Sequence, residues 1–179
     1  INQTGLAQFL CTENKEENIN SALEYSAEKV LILFWWGKDS LVSVELTKQK
    51  NLSFDLFSFG KEYPLHQIAQ APTWAKRLII QRTLDLPQIQ KLLAEGYYNG
   101  HLPITGIICF VTAVVSYLYG YKSVITSLEK SADFWNTEYH GLNINHQRSK
   151  SSEFEESFRS YAQTYLLKNF ECKSLIRNR

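Results

Sequence analysis

The sequence of 179 residues has little charge imbalance, little proline or glycine, and few cysteines. Nineteen basic and eighteen acidic side chains leave a formal net charge of +1, which gives no general attraction toward nucleic acid or anionic lipid. We therefore expect a small-molecule partner. Four prolines and eight glycines exclude collagen-like and disordered classes. The three cysteines lack metal-like spacing, and their odd number argues against a purely intramolecular disulfide framework, so we expect a reducing cytoplasm.

Long apolar runs and methionine are also missing. The most apolar stretch, residues 104–119, is shorter than the roughly 20 residues that span a bilayer, so it predicts a central buried helix and no membrane association. The first residues have neither the basic nor the apolar region of a signal peptide. No methionine is present, even at residue 1, which indicates a fragment of a longer protein or a chain that lacks segments.

Apolar runs alternate with helical patterns along the chain. Residues 30–35 form a continuous apolar run, typical of a strand covered on both faces, and residues 52–59 predict a second strand. Residues 41–48 between them have helical spacing, which completes a βαβ unit. Residues 122–128 resemble a third core strand. The fold class predicted is α/β, with a mostly parallel sheet and helices on both faces.

Other segments have the spacing of amphipathic helices. Apolar positions recur at helical intervals in residues 18–28, 72–81 and 86–96. Ser152 and Glu155 have the spacing of a capping box at the start of a last helix. These patterns predict helices packed against the sheet.

A short polar loop joins the first predicted strand to its helix. Gly37, Lys38, Asp39 and Ser40 place backbone N–H groups and a hydroxyl at a helix N-terminus, which favours anion binding. Lys38 could add positive charge beside a polyphosphate, and Asp39 could hold Mg²⁺ or cap the helix. An Asp-capped turn without a ligand is the alternative.

Two further polar blocks precede predicted helices. Residues 99–105 place His101 and Thr105 at the N-terminal end of the apolar helix. Residues 145–151 are a second candidate loop for an anion or a substrate. Solvated loops of similar composition are common, so this alternative stays open.

The loop after the first strand resembles that of the PP-loop ATP pyrophosphatases. Their Ser-Gly-Gly-x-Asp-Ser pattern is matched in its latter part by Gly37, Asp39 and Ser40, while Trp35 and Trp36 replace its Ser and first Gly. The resemblance implies an adenine-nucleotide α-hydrolase-like fold. It also implies binding of ATP and Mg²⁺.

Four blocks together resemble the UDP-N-acetylmuramoyl-L-alanyl-L-glutamate epimerase family of peptidoglycan synthesis. That family has Gly-Gly-Lys-Asp-Ser-Leu-Val, Asn-Gly-His-x-Pro-x-Thr, Ser-x-Glu-x-Ser-Ala and Asn-His-Gln-x-Ser-Lys-Ser blocks. In this chain, they correspond in order to residues 37–42, 99–105, 127–132 and 145–151. Four ordered blocks are much more specific than any one of them.

The resemblance implies inversion of the terminal L-glutamate of a nucleotide-sugar dipeptide through an acyl-adenylate, with release of AMP and pyrophosphate. His146 is the first acid/base candidate, because a histidine has an ordinary pKa of about 6.5, and His101 and Glu129 come next. Lys150 is expected to neutralise a phosphate or carboxylate. The residues expected to bind ATP are Gly37, Lys38, Asp39 and Ser40, with Asp39 on the metal.

The resemblance also divides the chain. Residues 29–170 are expected to form the ATP-binding domain, residues 1–28 a segment packed on it, and residues 171–179 a truncated tail. One alternative function is another adenylating PP-loop enzyme, of the amide ligase or thiolation type. A second is a non-catalytic nucleotide-binding module, which the tryptophans at Trp35 and Trp36 favour.

Overall fold

The computed structural model describes residues 26–35, 37–60, 67, 75–98 and 103–177, with side chains from residue 29 onward. Single turns of 3₁₀-helix cover Lys130–Asp133 and Arg148–Lys150. The strands are β1 (Ser26–Leu33), β2 (Ser53–Gly60), β3 (Arg77–Gln81), β4 (Tyr121–Thr126), β5 (Thr137–Tyr139), β6 (Leu142–Ile144) and β7 (Glu171–Ser174). The helices are α1 (Lys38–Gln49), α2 (Leu86–Ala94), α3 (Ile104–Tyr119) and α4 (Ser152–Tyr165).

Five of the strands form one sheet in the order β3-β2-β1-β4-β7. Every neighbouring pair is parallel, and Val30 of the central strand β1 lies between Phe54 of β2 and Ser123 of β4. Strands β5 and β6 form a separate antiparallel pair. The predicted parallel α/β sheet is confirmed.

Helices cover both faces of this sheet, because consecutive side chains of a buried strand point to opposite sides. On one face, Leu31 and Val124 pack with Ile108 of α3 and Phe158 of α4. On the other face, Ile32 and its neighbours pack with Val44 of α1. The prediction of helices on both faces is confirmed.

Helix α3 covers the predicted residues, but it is buried on one side only. Ile108 is fully buried, whereas Phe110, Val114 and Leu118 are 47, 59 and 61% exposed. The expectation of a helix buried all round was therefore wrong, since its apolar residues also cover the outward face. Gly120 ends the helix in the left-handed conformation, with φ 74°, which glycine adopts without strain. No helix among the described residues is long and apolar enough to cross a membrane.

The helix predicted over residues 72–81 was wrong where the structure describes it. Arg77–Gln81 is strand β3, and Leu78 pairs with Phe57 of β2. The run Leu78, Ile79 and Ile80 fits a strand as well as a helix, and pairing with a formed edge decides between them. Similarly, residues 26–28 belong to β1 and not to the predicted first helix, whose residues 18–25 lie outside the described part.

The C-terminal part also differs from the sequence expectation. Residues 171–174, assigned above to a tail, form β7, and Cys172 pairs with Val124 of β4. Helix α4 is capped by Ser151, whose hydroxyl accepts from the N–H of Phe154 at 3.2 Å. The N-cap is therefore Ser151 and not the predicted Ser152, and the predicted capping box does not form, because Phe154 occupies the position where it would need a glutamate. Glu155 makes other contacts, which are described below.

Candidate functional site

The strand order reverses between β1 and β4. The chain leaves β1 toward β2 on one side, while β4 and β7 continue on the other, so the loops after β1 and β4 diverge. Ligands of open α/β sheets bind in the crevice that forms at such a point. A cavity of about 530 Å³ lies here, and its polar lining residues are Asp39, Ser40, Thr105, Ser127, Glu129, Ser131, Gln147 and Lys150.

The loop after β1 is a tight turn closed by Ser40. The hydroxyl of Ser40 donates to the carbonyl of Trp35 at 3.0 Å and lies 3.2 Å from the backbone nitrogen of Trp35, which donates to it. The N–H of Gly37 also donates to the carbonyl of Trp35. Helix α1 starts one residue after the glycine, so its first turn faces the cavity through Asp39 and Ser40. The predicted order of strand, glycine loop and helix is present.

Gly37 is not required by the fold itself. Its φ of −117° and ψ of 159° are available to any residue. A Cβ added there would lie 3.5 Å from the carbonyl oxygen of Trp35 and 4.0 Å from the nitrogen of Asp39, which is ordinary contact. Trp35 is 37% exposed and lines the cavity, while Trp36 lies outside the described residues.

Asp39 and Glu129 form a carboxyl pair across the cavity. Burial raises the pKa of Asp39, and the hydrogen bond and repulsion of Glu129 raise it further. The pKa of Glu129 is lowered, first by its bond with Asp39 and then by the Ser131 hydroxyl, which donates at 3.0 Å. Asp39 is therefore the weaker acid of the pair and Glu129 the stronger.

Two lysines supply positive charge near the carboxyl pair. Lys38 and Lys150 both lower the pKa of Glu129 through their charge, and Lys150 lines the cavity.

Among the described residues, no group of three or more His, Cys, Asp or Glu side chains could hold a metal. Mg²⁺ usually keeps water and binds through one or two carboxylates together with phosphates, so the pair Asp39 and Glu129 fits it.

The structure brings together Gly37, Asp39, Ser40, Glu129 and Lys150 around one cavity. His146 is exposed and is not among the lining residues, although its neighbour Gln147 is. The backbone N–H of His146 donates to the Asn136 side chain at 3.0 Å. His101 lies outside the described residues.

Sequence reasoning missed the residues that connect the cavity walls. The Ser127 hydroxyl, in the loop after β4, donates to the Ser43 hydroxyl of α1 at 2.8 Å. Arg177, at the end of the described chain, donates to backbone carbonyls of two walls. Ser127 opens the third sequence block, residues 127–132, but nothing in that block indicates a bond to Ser43. Arg177 lies outside the four blocks, and a single arginine carries no pattern that distinguishes it, so the sequence offered no signal for that residue.

The fold and the cavity together define a doubly wound α/β protein with a cavity at the topological switch point, where proteins of this class bind ligands. More narrowly, the chain belongs to the MurL N-terminal domain family, which matches residues 2–175. The resemblance of the four sequence blocks to the epimerase family is thus confirmed.

Three curated relatives carry the same name, UDP-N-acetyl-alpha-D-muramoyl-L-alanyl-L-glutamate epimerase. The protein from Xanthomonas oryzae pv. oryzae is 30% identical over 147 residues, which are 82% of this chain and 32% of that protein. The Salinispora tropica protein is 35% identical over 119 residues, 66% of this chain and 26% of that protein. The Micromonospora protein is 34% identical over 124 residues, 69% of this chain and 27% of that protein. The chain thus spans about a third of these relatives or less.

Similar solved structures are more distant. One is a predicted subunit of tRNA methyltransferase from Methanocaldococcus jannaschii, with 17% identity and a TM-score of 0.44 over 83% of this chain and 68% of that one. Another is a short chain dehydrogenase/reductase family protein, with 16% identity and a TM-score of 0.42 over 85% of this chain and 75% of that one.

Proposed function

We propose that this chain is the ATP-binding part of an epimerase of peptidoglycan synthesis. The reaction inverts the terminal L-glutamate of UDP-N-acetylmuramoyl-L-alanyl-L-glutamate through an acyl-adenylate, with release of AMP and pyrophosphate. Family membership and three relatives named as this epimerase support the reaction. The cavity at the switch point, between the Gly37 loop and Glu129, is the observation that carries the assignment to this chain.

The cavity suits a nucleotide polyphosphate in size and charge. Its volume of about 530 Å³ falls within the range of small-molecule sites. The first turn of α1, through Asp39 and Ser40, borders it, and helix N-termini attract phosphate through their unpaired N–H groups and dipole. Lys38 and Lys150 add positive charge near the carboxyl pair.

Asp39 and Glu129 are the proposed ligands of Mg²⁺. Bound there together with phosphate oxygens, the metal would neutralise charge that develops on the pyrophosphate. The Ser131 hydroxyl, which donates to Glu129, orients that carboxylate toward its partner.

Activation by ATP fits the chemistry of inversion. The α-proton of a free carboxylate is poorly acidic, because its enolate carries excess negative charge, and adenylation of the carboxyl group removes that charge. A base near the α-carbon then takes the proton, and a donor returns it on the opposite face. His146 stays the first proposed acid/base residue, with His101 and Glu129 after it. Lys150 is proposed to neutralise the phosphate or the substrate carboxylate.

The test is pyrophosphate release by the full-length protein with Mg²⁺ and ATP, with and without the UDP-muramoyl dipeptide, followed by chiral analysis of glutamate. Dipeptide-dependent pyrophosphate together with D-glutamate is expected. Asp39→Asn should lose at least about 100-fold in rate, since it removes a charged metal ligand. Asp85→Asn is the matched control, because Asp85 only caps α2 through the N–H of Gln88 at 3.0 Å and Asn caps equally well.

Two other results would assign a different function. Pyrophosphate release without inversion would indicate an adenylating ligase or thiolation enzyme. ATP binding without pyrophosphate release would indicate a non-catalytic nucleotide-binding module. Trp35 on the cavity wall and the engagement of the Ser40 hydroxyl within its own loop favour this module over the ligase.

A further inference from the structure

Arg177 is a buried arginine behind the cavity, only 8% exposed. Its Nη1 donates to the carbonyl of Glu129 at 3.3 Å and to Oδ1 of Asp133 at 3.0 Å. Its Nη2 donates to the carbonyl of Lys150 at 3.0 Å and lies 3.6 Å from Oε2 of Glu155. A single guanidinium group thus contacts the loop after β4, both 3₁₀ turns and α4.

The two carbonyl contacts join two segments of the cavity wall. Glu129 lies in the loop after β4 and Lys150 in the turn before α4, and the side chains of both line the cavity. Because the guanidinium is planar and its donors are fixed relative to one another, it holds the two backbones at a set separation. Lysine has one flexible donor group and holds no such separation.

The surroundings hold Arg177 itself in place. A buried guanidinium is stable only when it is paired, and Asp133 and Glu155 supply the pairing charges. Asp133 also accepts from the N–H of Ser152 at 2.5 Å, at the start of α4. Glu155 accepts from the Thr126 hydroxyl at 2.9 Å and from the N–H of Ser174 at 3.2 Å.

We propose that Arg177 is a positioning residue that sets the distance between Glu129 and Lys150, and thereby the placement of the magnesium-bound polyphosphate. This role rests on the proposed function of the cavity. It assigns a function to a residue outside the four sequence blocks. Arg177 acts through the two backbones that it joins and touches no reacting atom.

The connection that Arg177 makes between the backbones of Glu129 and Lys150 is tested first, without reference to the reaction. In full-length protein with Arg177→Lys, amide hydrogen exchange in residues 127–133 and 147–151 should become faster, while exchange in β1 and β2 stays as in the wild type. Arg159→Lys is the matched control. Arg159 lies on α4, 3.9 Å from Glu156, and among the described residues no hydrogen bond or ion pair joins it to either loop, so its replacement should leave exchange unchanged.

The positioning role is tested by kinetics in the same variants. Arg177→Lys should lower kcat/KM for ATP by about 100-fold, the typical cost of misplacing reacting groups by about 1 Å. In a Glu129→Gln background, the same change should cost about 10-fold or less, since residues acting as a unit are not additive. Additive losses in the double variant are the result expected of a merely structural role and would overturn the proposal.

The remaining outcomes separate the two proposals. Unchanged amide hydrogen exchange in both loops would show that Arg177 does not hold the two backbones, whatever reaction the protein catalyses. Faster exchange with unchanged kinetics would overturn the positioning role. Absence of pyrophosphate release already in the wild type would instead count against the proposed function. If Arg177→Lys does not fold, Asp133→Asn takes its place. It weakens the pairing of Arg177 while keeping an acceptor oxygen, so amide exchange should become faster and kcat/KM should fall.

Discussion

Replacement of Gly37 by alanine separates ligand binding from folding at this site. The backbone conformation at Gly37 suits alanine, and the added Cβ meets nothing closer than 3.5 Å. Alanine is a poorer N-cap than glycine, but it also restricts the unfolded chain, which stabilises by about 0.4–1 kcal/mol. The two effects oppose each other, so the free energy of unfolding should change by less than about 1 kcal/mol.

The expected effect on ATP binding is larger. The new methyl group would lie 4.0 Å from the nitrogen of Asp39, where it crowds a phosphate oxygen that accepts from that N–H at about 2.9 Å. Loss of one hydrogen bond to a charged group costs about 1.5–3 kcal/mol. Affinity for ATP with Mg²⁺ should therefore fall roughly 10- to 150-fold.

Calorimetric titration of the full-length protein with ATP and Mg²⁺, together with urea unfolding, measures both quantities. Gly96→Ala is the opposite control, because Gly96 has φ 88° at the end of α2 and lies outside the cavity. Alanine is strained there, so stability should fall by about 1 kcal/mol while affinity stays unchanged. Undiminished affinity in Gly37→Ala, with the fold intact, would refute the close approach of phosphate to this loop.

Two further changes test the carboxyl pair and the sheet. Glu129→Gln should lower the pKa of Asp39, because it removes the repulsion and the charged acceptor that help to raise that pKa, although burial persists. NMR titration without Mg²⁺ measures this pKa. The lowered pKa of Glu129 affects the pH dependence of stability with the opposite sign to the raised pKa of Asp39, so the pKa of Asp39 itself is the readout; an unchanged value would contradict the coupling. Asp55→Asn should destabilise by about 2 kcal/mol in urea unfolding, because buried Asp55 accepts from the Tyr121 hydroxyl at 2.5 Å and pairs with Lys29 at 2.8 Å. A change below about 0.5 kcal/mol would show that these contacts contribute little.

The sequence predicted the part of the fold that local patterns determine. Residues 30–35 and 52–59 are apolar runs bounded by polar turns, and they lie in β1 and β2 with shifts of a few residues. Gly37 marked the loop between β1 and α1, and Gly120 marked the end of α3. In each case, the residues that determine the element lie within the element or next to it.

The parts that the sequence did not predict depend on distant partners. Strand β7 is short and mostly polar, so no apolar pattern marks it in the sequence. It forms by pairing with β4, where Cys172 lies opposite Val124. For β3, the apolar spacing was compatible with a helix or a strand, and pairing with the edge of β2 favours the strand. The polar blocks identified Glu129 and Lys150 as candidates, but the arginine that joins them, Arg177, depends on contacts made only in three dimensions.

The central position of β1 also determines when the site forms during folding. Val30 gains one neighbour, Phe54, from nearby in the chain and the other, Ser123, from far along it. Closing the longer loop costs more conformational entropy, so β1, α1 and β2 are expected to associate before β4 joins them. The cavity lies between the ends of β1 and β4, so it is expected to form only when β4 has joined the sheet. Chains released from the ribosome or diluted from denaturant should acquire the proposed affinity for nucleotide only as the sheet is completed, and nucleotide bound there would stabilise the complete sheet relative to partly folded chains.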